Sequence, residues 1–286
     1  MENQHFKNIL ELNIAIFLIS TSGVLGRYIS MPPPITIWFR CLLAALFLGI
    51  FIWYKKIDLK IANKKDWKTI ILSGLFFGIH WVTYFYALQL SNVAIGMLSL
   101  FTYPVITALL EPLFFKTKLN NKHVFLGILV LIGIYFLTPE FNLKNNYTLG
   151  VIFGVISSVF YALRNILLKK KISNYNGSIL MFYQMVTVTL VLWPTLFIFE
   201  VNPIANDVPA LLILALVTTS IGHTLFVMSF KNFSISTASI ISSIQPIYGI
   251  IFGLLFLSEI PALKTLIGGF LILLTVVFES IQSKKV

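Results

Sequence analysis

Long apolar runs dominate this sequence, and they limit its possible folds more than any other feature. Hydrophobic residues make up 58% of the chain and charged residues only 11%, with a mean hydropathy of +0.91. A water-soluble domain needs about a quarter of charged residues, whereas a helix of roughly 20 apolar residues spans a bilayer. Alternating strands of about ten residues, the pattern of outer-membrane barrels, are missing from the sequence. The sequence therefore predicts an all-α membrane protein.

The apolar runs divide into ten predicted transmembrane helices. Short segments rich in proline, asparagine and serine separate them, as expected of turns. The predicted spans are Leu10–Tyr28, Ile35–Tyr54, Trp67–Leu88, Val93–Phe115, His123–Thr138, Tyr147–Leu168, Ser178–Phe199, Val208–Phe230, Ser236–Ser258 and Ala262–Gln282. The even number of spans places both termini on the same side of the membrane.

The cations are distributed unequally between the two sides of this predicted membrane domain. With a cytoplasmic N-terminus, the inner segments hold sixteen of the 21 lysines and arginines, and the outer loops hold only Lys144 and Lys264. Cytoplasmic segments of membrane proteins carry such an excess of cations. The pattern predicts a membrane protein with both termini in the cytoplasm. It also explains the net charge of +11 as a determinant of topology, so no nucleic-acid partner is expected.

The sequence repeats itself at about half its length. An offset of 142 positions aligns Pro104 with Pro246 and Gly127 with Gly269, and an offset of 137 aligns Arg27 with Arg164. The predicted repeats are residues 10–138 and 147–282, joined by an outer loop at 139–146. Because each repeat has five spans, the second copy enters the membrane from the opposite side. We therefore expect two inverted five-helix repeats around a central cavity, an architecture typical of secondary transporters.

These features together resemble a known family. The two five-helix halves, a proline in the middle of the fourth span of each, the E-x-P sequence at Glu259 and Pro261, and the glycines Gly268-Gly269 are similar to the EamA family of the drug/metabolite transporter superfamily. The first half departs from the family pattern, with Lys116-Thr117-Lys118 where a Gly-Glu pair is usual. The resemblance implies a ten-helix inner-membrane carrier, often an exporter of amino acids or similar metabolites, and leaves the substrate open.

Polar residues from five spans are predicted to lie near the middle of the bilayer. The depth of each residue follows from a rise of about 1.5 Å per residue along a span. The candidates for substrate binding are His80, Tyr84, Tyr103, Tyr161, His223 and Gln245. Polar side chains at this depth avoid lipid and face the protein interior or a wet cavity. For each of them, a hydrogen bond to neighbouring backbone is the structural alternative.

A second group of residues is predicted to line or gate the pathway. Its members are Arg27, Arg40, Pro104, Arg164 and Pro246. The arginines are predicted near the span ends, where they either extend to the membrane interface or attract a carboxylate at the two mouths. The prolines are interpreted as kinks within continuous helices, which either release a backbone carbonyl or only shape the packing.

The sequence favours a carrier for a small polar metabolite with a carboxylate group. Proton coupling would have to use His80, His223 or Glu111, although Glu111 is one turn from Lys116 and a salt bridge between them is the simpler interpretation. A carrier for sugar phosphates or nucleotide sugars is less favoured because no cation is predicted at the midplane. A membrane-embedded enzyme is disfavoured because catalytic motifs are missing. No cofactor or metal is expected, and the protein is predicted to be a monomer or a weak homo-oligomer.

Overall fold

The computed structural model of the protein describes residues 2–116, 121–137, 142–200, 204–233, 238 and 241–283. Within these ranges every regular element is a helix. The helices, numbered here in chain order, are α1 (Glu2–Tyr28), α2 (Pro33–Tyr54), α3 (Lys64–Leu90), α4 (Val93–Leu100), α5 (Tyr103–Phe115), α6 (Asn121–Leu137), α7 (Asn146–Lys169), α8 (Gly177–Leu192), α9 (Val208–Ser229), α10 (Gln245–Leu257) and α11 (Leu263–Ser283). Short 3₁₀ turns follow at Trp193–Phe197 and Ile204–Asn206.

Seven helical segments of the described chain are long and apolar enough to cross a membrane. They are α1, α2, α3, α4 with α5, α7, α8 with its 3₁₀ extension, and α9. Three further apolar helices are shorter within the described residues, at Val124–Leu137, Gln245–Leu257 and Leu263–Phe278. The prediction of an all-α, multi-pass membrane protein is confirmed, and the count of ten spans stays a prediction.

Four of these helices have an asparagine as their N-cap residue. In each case the side-chain oxygen accepts a hydrogen bond from a backbone N–H in the first turn, which that turn cannot satisfy internally. The capping residues are Asn63, Asn92, Asn145 and Asn176. At the start of α2, Pro33 and Pro34 occupy first-turn positions that need no amide hydrogen. The turn residues of the sequence therefore mark the helix starts as well as the loops.

The two repeated prolines are each in the first turn of a helix, just after a break in the span, and their role as kinks or gates stays a prediction. Pro104 is in the first turn of α5, after a break at Phe101 and Thr102. Pro246 is in the first turn of α10, which begins after a turn at Ser243 and Ile244. A proline lacks the amide hydrogen that a helix interior needs, and the first turn is the place where this loss costs least.

Small residues let the central helices approach closely. Helix α7 packs along both α3 and α4, and Gly150 and Gly154 face Ser91 and Ser99 across the contact with α4. A Cβ added to Gly154 would lie 2.6 Å from the Ser99 Cβ and closer still to its hydroxyl oxygen. The backbones of α7 and α4 can therefore be this close only with glycine at position 154.

We expect Gly154→Ala to destabilise the protein by about 1–3 kcal/mol, the usual cost of overpacking a core. Gly127→Ala is the matched control, because a Cβ there would meet Leu109 at an ordinary 3.5 Å. That control is expected to be neutral or slightly stabilising, since alanine favours helix over glycine. The thermal melting of both variants in detergent, followed by tryptophan fluorescence, checks this. Equal melting temperatures for the two variants would contradict the close contact.

Candidate functional site

Aromatic rings from four helices meet in the interior. Phe77, His80, Trp81 and Tyr84 are three and four residues apart on α3, so they lie on one face of that helix. The His80 ring stacks on Tyr161 of α7 with centroids 4.4 Å apart. Two further rings complete the ring cluster, as we call these seven residues: Tyr103 of α5, 4.8 Å from Tyr161, and His223 of α9, 5.4 Å from Trp81.

The ring cluster is closed to solvent in this structure. All seven of its side chains are buried, with Tyr161 the most exposed at 7%. The start of α5 lies at the cluster, because Tyr103 is its first residue. The positive end of this helix dipole therefore lies beside the rings. The side chains of the ring cluster are shielded from solvent, and the helix dipole favours a negatively charged group beside them.

Reciprocal hydrogen bonds fix the His80 ring. The Ser157 hydroxyl donates to the His80 carbonyl oxygen at 2.8 Å, and Nδ1 of His80 lies 2.7 Å from the same hydroxyl. Because that hydroxyl proton is already used, Nδ1 is the donor and Ser157 the acceptor. His80 therefore ties α3 to α7, and its ring has one orientation.

Arg40 lies against one side of the ring cluster. It is two turns into α2 and fully buried. Its guanidinium carbon is 3.9 Å from the centroid of the Trp81 ring, a cation–π contact worth about 2 kcal/mol when desolvated. Its Nε donates to the Thr219 hydroxyl at 2.7 Å, and Nη1 makes only a long contact of 3.5 Å with Ser22.

A π-helical stretch of α9 positions the acceptor for Arg40. Residues Leu214–His223 form this stretch, and the Thr219 hydroxyl donates to the carbonyl oxygen of Leu214, five residues earlier. Its lone pairs therefore remain for Arg40. Stretches of π-helix are rare and occur frequently at functional sites.

Arg164 lies against the other side of the ring cluster. It is fully buried on α7, and its guanidinium carbon is 3.9 Å from the centroid of the Phe77 ring. Nε donates to Gln184 Oε1 and Nη1 to Asn165 Oδ1, both at 3.0 Å. Nη2 is 3.2 Å from the sulfur of Met181, a weak acceptor. All of its partners are neutral.

The site has an excess of hydrogen-bond donors. No partner among the described residues reaches Arg40 Nη2, the Tyr84 hydroxyl, Asn165 Nδ2 or Gln184 Nε2, and the same holds for Nδ1 of His223. Neither Arg40 nor Arg164 contacts a carboxylate in the described part of the chain. Buried donors and charges without partners are costly. The arrangement is suited to hold a ligand that brings negative charge and acceptor oxygens.

The buried positions of Arg40 and Arg164 correct two expectations from the sequence. Extension of their side chains to the membrane interface is wrong for both, since each guanidinium stacks on a ring of the cluster. The argument against phosphorylated substrates, which assumed no cation near the central rings, is wrong for the same reason. The span ends were a poor guide because a long side chain reaches about a helical turn away from its own Cα.

Arg27 behaves differently from the other two arginines. Its Nε donates to Glu259 Oε1 at 3.0 Å and its Nη1 to the Gln89 carbonyl oxygen at 2.8 Å. The second oxygen of Glu259 accepts the backbone N–H of Val93 at 2.8 Å. Arg27 thus joins the end of α1 to the end of α3 and to the segment after α10, and Glu259 in turn holds the start of α4. The Glu259 carboxylate neutralises the charge of Arg27.

Two other predicted residues lie apart from the rings. Gln245 is buried in the first turn of α10, and no hydrogen bond among the described residues joins its side chain to the ring cluster. Glu111 is half-buried on α5, where its charge interacts with Lys169 at the end of α7. Their roles in substrate binding and proton coupling, like that of His223 and His80 in proton coupling, stay predictions.

Several residues of the site were missed in the sequence. Phe77 and Trp81 carry a readable signal, because they share the helical spacing of His80 and Tyr84. The polar partners Ser157, Asn165, Gln184 and Thr219 carry none, since single polar residues occur in most of the spans. Their importance follows only from the tertiary contacts.

Comparison with known proteins bears on what such a site does. The family model described as "EamA-like transporter family" matches residues 8–138 and again residues 148–281. The chain is similar to "Uncharacterized transporter YxxF" of Bacillus subtilis (strain 168), with 26% identity over 269 residues, covering 91% of this chain and 85% of that protein. It is also similar to "Pseudopaline exporter CntI" of Pseudomonas aeruginosa (strain UCBPP-PA14), with 22% identity over 274 residues and 95% of both chains covered.

A solved crystal structure has the same fold. It superposes with a TM-score of 0.70 over 98% of both chains, at 16% sequence identity. At that identity the likeness concerns the path of the backbone alone, and the chemistry of the site has to be argued from this chain's own residues.

Proposed function

Since the chain belongs to the EamA-like transporter family, we propose that it is a secondary carrier that exports a small polar metabolite by alternating access. The metabolite is an amino acid or a related carboxylate. Export is suggested by one relative, which is named a pseudopaline exporter. No step of the proposal requires a cofactor or a covalent reaction.

One observation carries this proposal: two buried guanidinium groups flank the ring cluster, and no described carboxylate neutralises them. A structural arginine in a protein interior is normally paired with an acid. An unpaired one marks a functional site in a membrane domain. A carboxylate of the substrate would supply the missing partner, and the ring faces would pack against its apolar part.

The proposed architecture is ten spans in two inverted repeats. The support for it is that helices of one half pack mainly on helices of the other half. Helix α3, the third span of the first half, packs on α7, the first span of the second, and α9 packs in the same way on α1. The second spans, α2 and α8, pack on each other, as do the fifth spans, α6 and α11. Inverted repeats of this kind move against each other about a central site.

The proposed orientation places both termini in the cytoplasm of a bacterial inner membrane, on the basis of the lysine distribution. In this orientation the contact between Asp66 and Lys171 is cytoplasmic. Lys171 Nζ lies 2.6 Å from Asp66 Oδ1, and the Tyr175 hydroxyl donates to the other carboxylate oxygen at 2.8 Å. The outer side has the pair of Arg27 and Glu259.

These contacts tie the two halves together at both faces. At the outer face the Ser30 hydroxyl also donates to Asp207 at 3.3 Å. Asp66 and Asp207 stand at the starts of the third spans of the two halves, and each meets a residue just after the first span of the other half. The pairing supports an occluded state between inward and outward opening, in which either face opens by breaking its own contacts.

Export is tested in cells. We expect cells that produce the protein to release at least one carboxylate-bearing metabolite faster than cells carrying the empty vector, as measured by mass spectrometry of the medium. Repeating the measurement with an uncoupler shows whether release draws on the proton gradient. Identical media with and without the protein would contradict the carrier proposal and favour a scaffold role.

A further inference from the structure

The open donors of the site form two groups at opposite ends of the ring cluster. The ends are joined by stacked contacts: Arg40 lies 3.9 Å above Trp81, Trp81 lies 3.8 Å from Phe77, and Phe77 lies 3.9 Å from Arg164. Each end therefore has one guanidinium, and an aromatic surface separates the two.

The first end consists of Arg40 and Tyr84. Nη2 of Arg40 has two hydrogens and no acceptor among the described residues, and the Tyr84 hydroxyl likewise has no partner there. Tyr84 lies near Arg40, since both contact Phe85: the Arg40 guanidinium carbon is 5.7 Å from the centroid of that ring, and the Tyr84 centroid is 6.0 Å from it. His223 lies between the two ends, with its ring 5.4 Å from Trp81 and 5.3 Å from Phe77. The first end therefore has two open donors, the Tyr84 hydroxyl and Nη2 of the unneutralised Arg40 guanidinium.

The second end consists of Arg164, Asn165 and Gln184. An arginine can only donate hydrogen bonds, so the amide oxygens of Asn165 and Gln184 must face it. Their amide nitrogens are consequently turned away. Gln184 Nε2 lacks an acceptor among the described residues, and Asn165 Nδ2 lies beside the Tyr161 hydroxyl without a well-formed hydrogen bond. This end therefore holds two further open donors beside a second unneutralised cation.

We propose that the transported substrate has two separate carboxylate groups, one held by Arg40 and Tyr84 and the other by Arg164, Asn165 and Gln184. This inference rests on the proposed carrier function and specifies its substrate class. Each end supplies positive charge and two or three donors, which matches the two oxygens of a carboxylate. The rings of Phe77 and Trp81 would contact the carbon chain between the two groups.

The same geometry argues against other small metabolites. A substrate with one carboxylate would leave the second guanidinium buried with neutral partners only, so its charge would stay unneutralised. A single phosphate would neutralise one end only, and its three oxygens call for more donors than either end has open. A substrate with net positive charge would be repelled by both arginines.

Matched ligands test the inference with the purified, full-length protein. The probes are linear dicarboxylates from malonate to pimelate, each compared with its own monoamide, and glutamate compared with glutamine. The monoamide keeps the shape and loses one charge. We expect at least one diacid to bind about ten- to a hundredfold more tightly than its monoamide, the usual effect of one charge-assisted hydrogen-bonded contact. Binding is measured by calorimetry, and thermal shifts provide a second readout.

Variants separate the two ends. In Arg164→Met the diacid is expected to bind no better than its monoamide, because a single guanidinium remains to receive either ligand. Arg164→Lys keeps the charge and is expected to restore part of the preference. This second variant keeps the test valid where the methionine variant does not fold.

The outcomes distinguish this inference from the proposed function. Equal binding of diacids and monoamides, no binding of any diacid, or binding of glycerol 3-phosphate in place of the diacids would each overturn the two-carboxylate inference. Export of a monocarboxylate from cells would do the same while leaving the carrier proposal intact. Unchanged metabolite release from cells would remove the carrier itself, whatever binds to the purified protein.

Discussion

Arg40→Met is expected to raise the thermal stability of the protein and to abolish its transport. The guanidinium is fully buried, has no carboxylate partner among the described residues and leaves Nη2 without an acceptor. Replacing buried charges by apolar side chains of similar volume often stabilises a protein by about 1–4 kcal/mol. The Thr219 hydroxyl keeps its bond to the Leu214 carbonyl oxygen, so the substitution leaves no new unpaired donor there.

Transport should fail in the same variant because the substrate loses a buried, charge-assisted contact. Loss of such a contact costs about 2–5 kcal/mol, which weakens binding at least about thirtyfold. Melting of the purified protein and flux into proteoliposomes measure the two effects. Lys264→Met is the matched control, since it removes an exposed cation outside the site and should alter neither quantity. A less stable Arg40→Met protein, or one that transports normally, would show that Arg40 supports the fold and not the substrate.

Oxidation of a Thr21→Cys/Thr218→Cys variant is expected to stop transport completely, and reduction should restore it. The two hydroxyl oxygens are 2.9 Å apart and join α1 of the first half to α9 of the second. The contact shows that the two side chains face each other across the helix pair, which a disulfide between them requires. If the halves move against each other in each transport cycle, a covalent bond across this contact holds the carrier in one state.

The native Cys41 does not complicate this experiment, because it is buried and is the chain's only cysteine. Each single cysteine variant is treated with the same oxidant as a control and should transport normally. Formation of the bond is verified by mass spectrometry of a peptide digest. Undiminished flux through fully cross-linked protein would mean that the two halves do not separate along α1 and α9, and the alternating-access proposal would have to be abandoned.

Much of the fold could be predicted because its cause is local. Apolar runs of membrane-spanning length and asparagine caps each act within a few residues, and the family resemblance rests on the same short patterns. The helix breaks before Pro104 and Pro246 are harder to predict from the sequence, because a proline fits both a kinked helix and the first turn of a new one. Which of the two occurs depends on whether the residues just before the proline continue the helix, and tertiary packing decides that.

The site was predictable only in part. Depth along a span indicated that His80, Tyr103, Tyr161 and His223 lie near each other, since depth follows from residue number. The direction in which a side chain points does not follow from depth. For this reason the sequence predicts Arg40 and Arg164 near the span ends, with extension to the interface and attraction of a carboxylate at the mouths as equal alternatives. Their neutral acceptors, Thr219 and Gln184, come from distant parts of the sequence and are brought to the arginines by the packing of α2 on α9 and of α7 near α8.

The π-helical stretch Leu214–His223 limits how the chain length can change there. A π-turn contains one residue more than the α-helical turn that it replaces. Deleting a single residue from this stretch would restore ordinary α-helix and change the angles between the side chains within it, because an α-helix turns about 100° per residue and a π-helix turns less. Thr219 and His223 would then no longer face Arg40 and Trp81 together. Gaps and insertions should therefore be tolerated in the loop before α9 and rejected within this stretch, however conservative the neighbouring substitutions are.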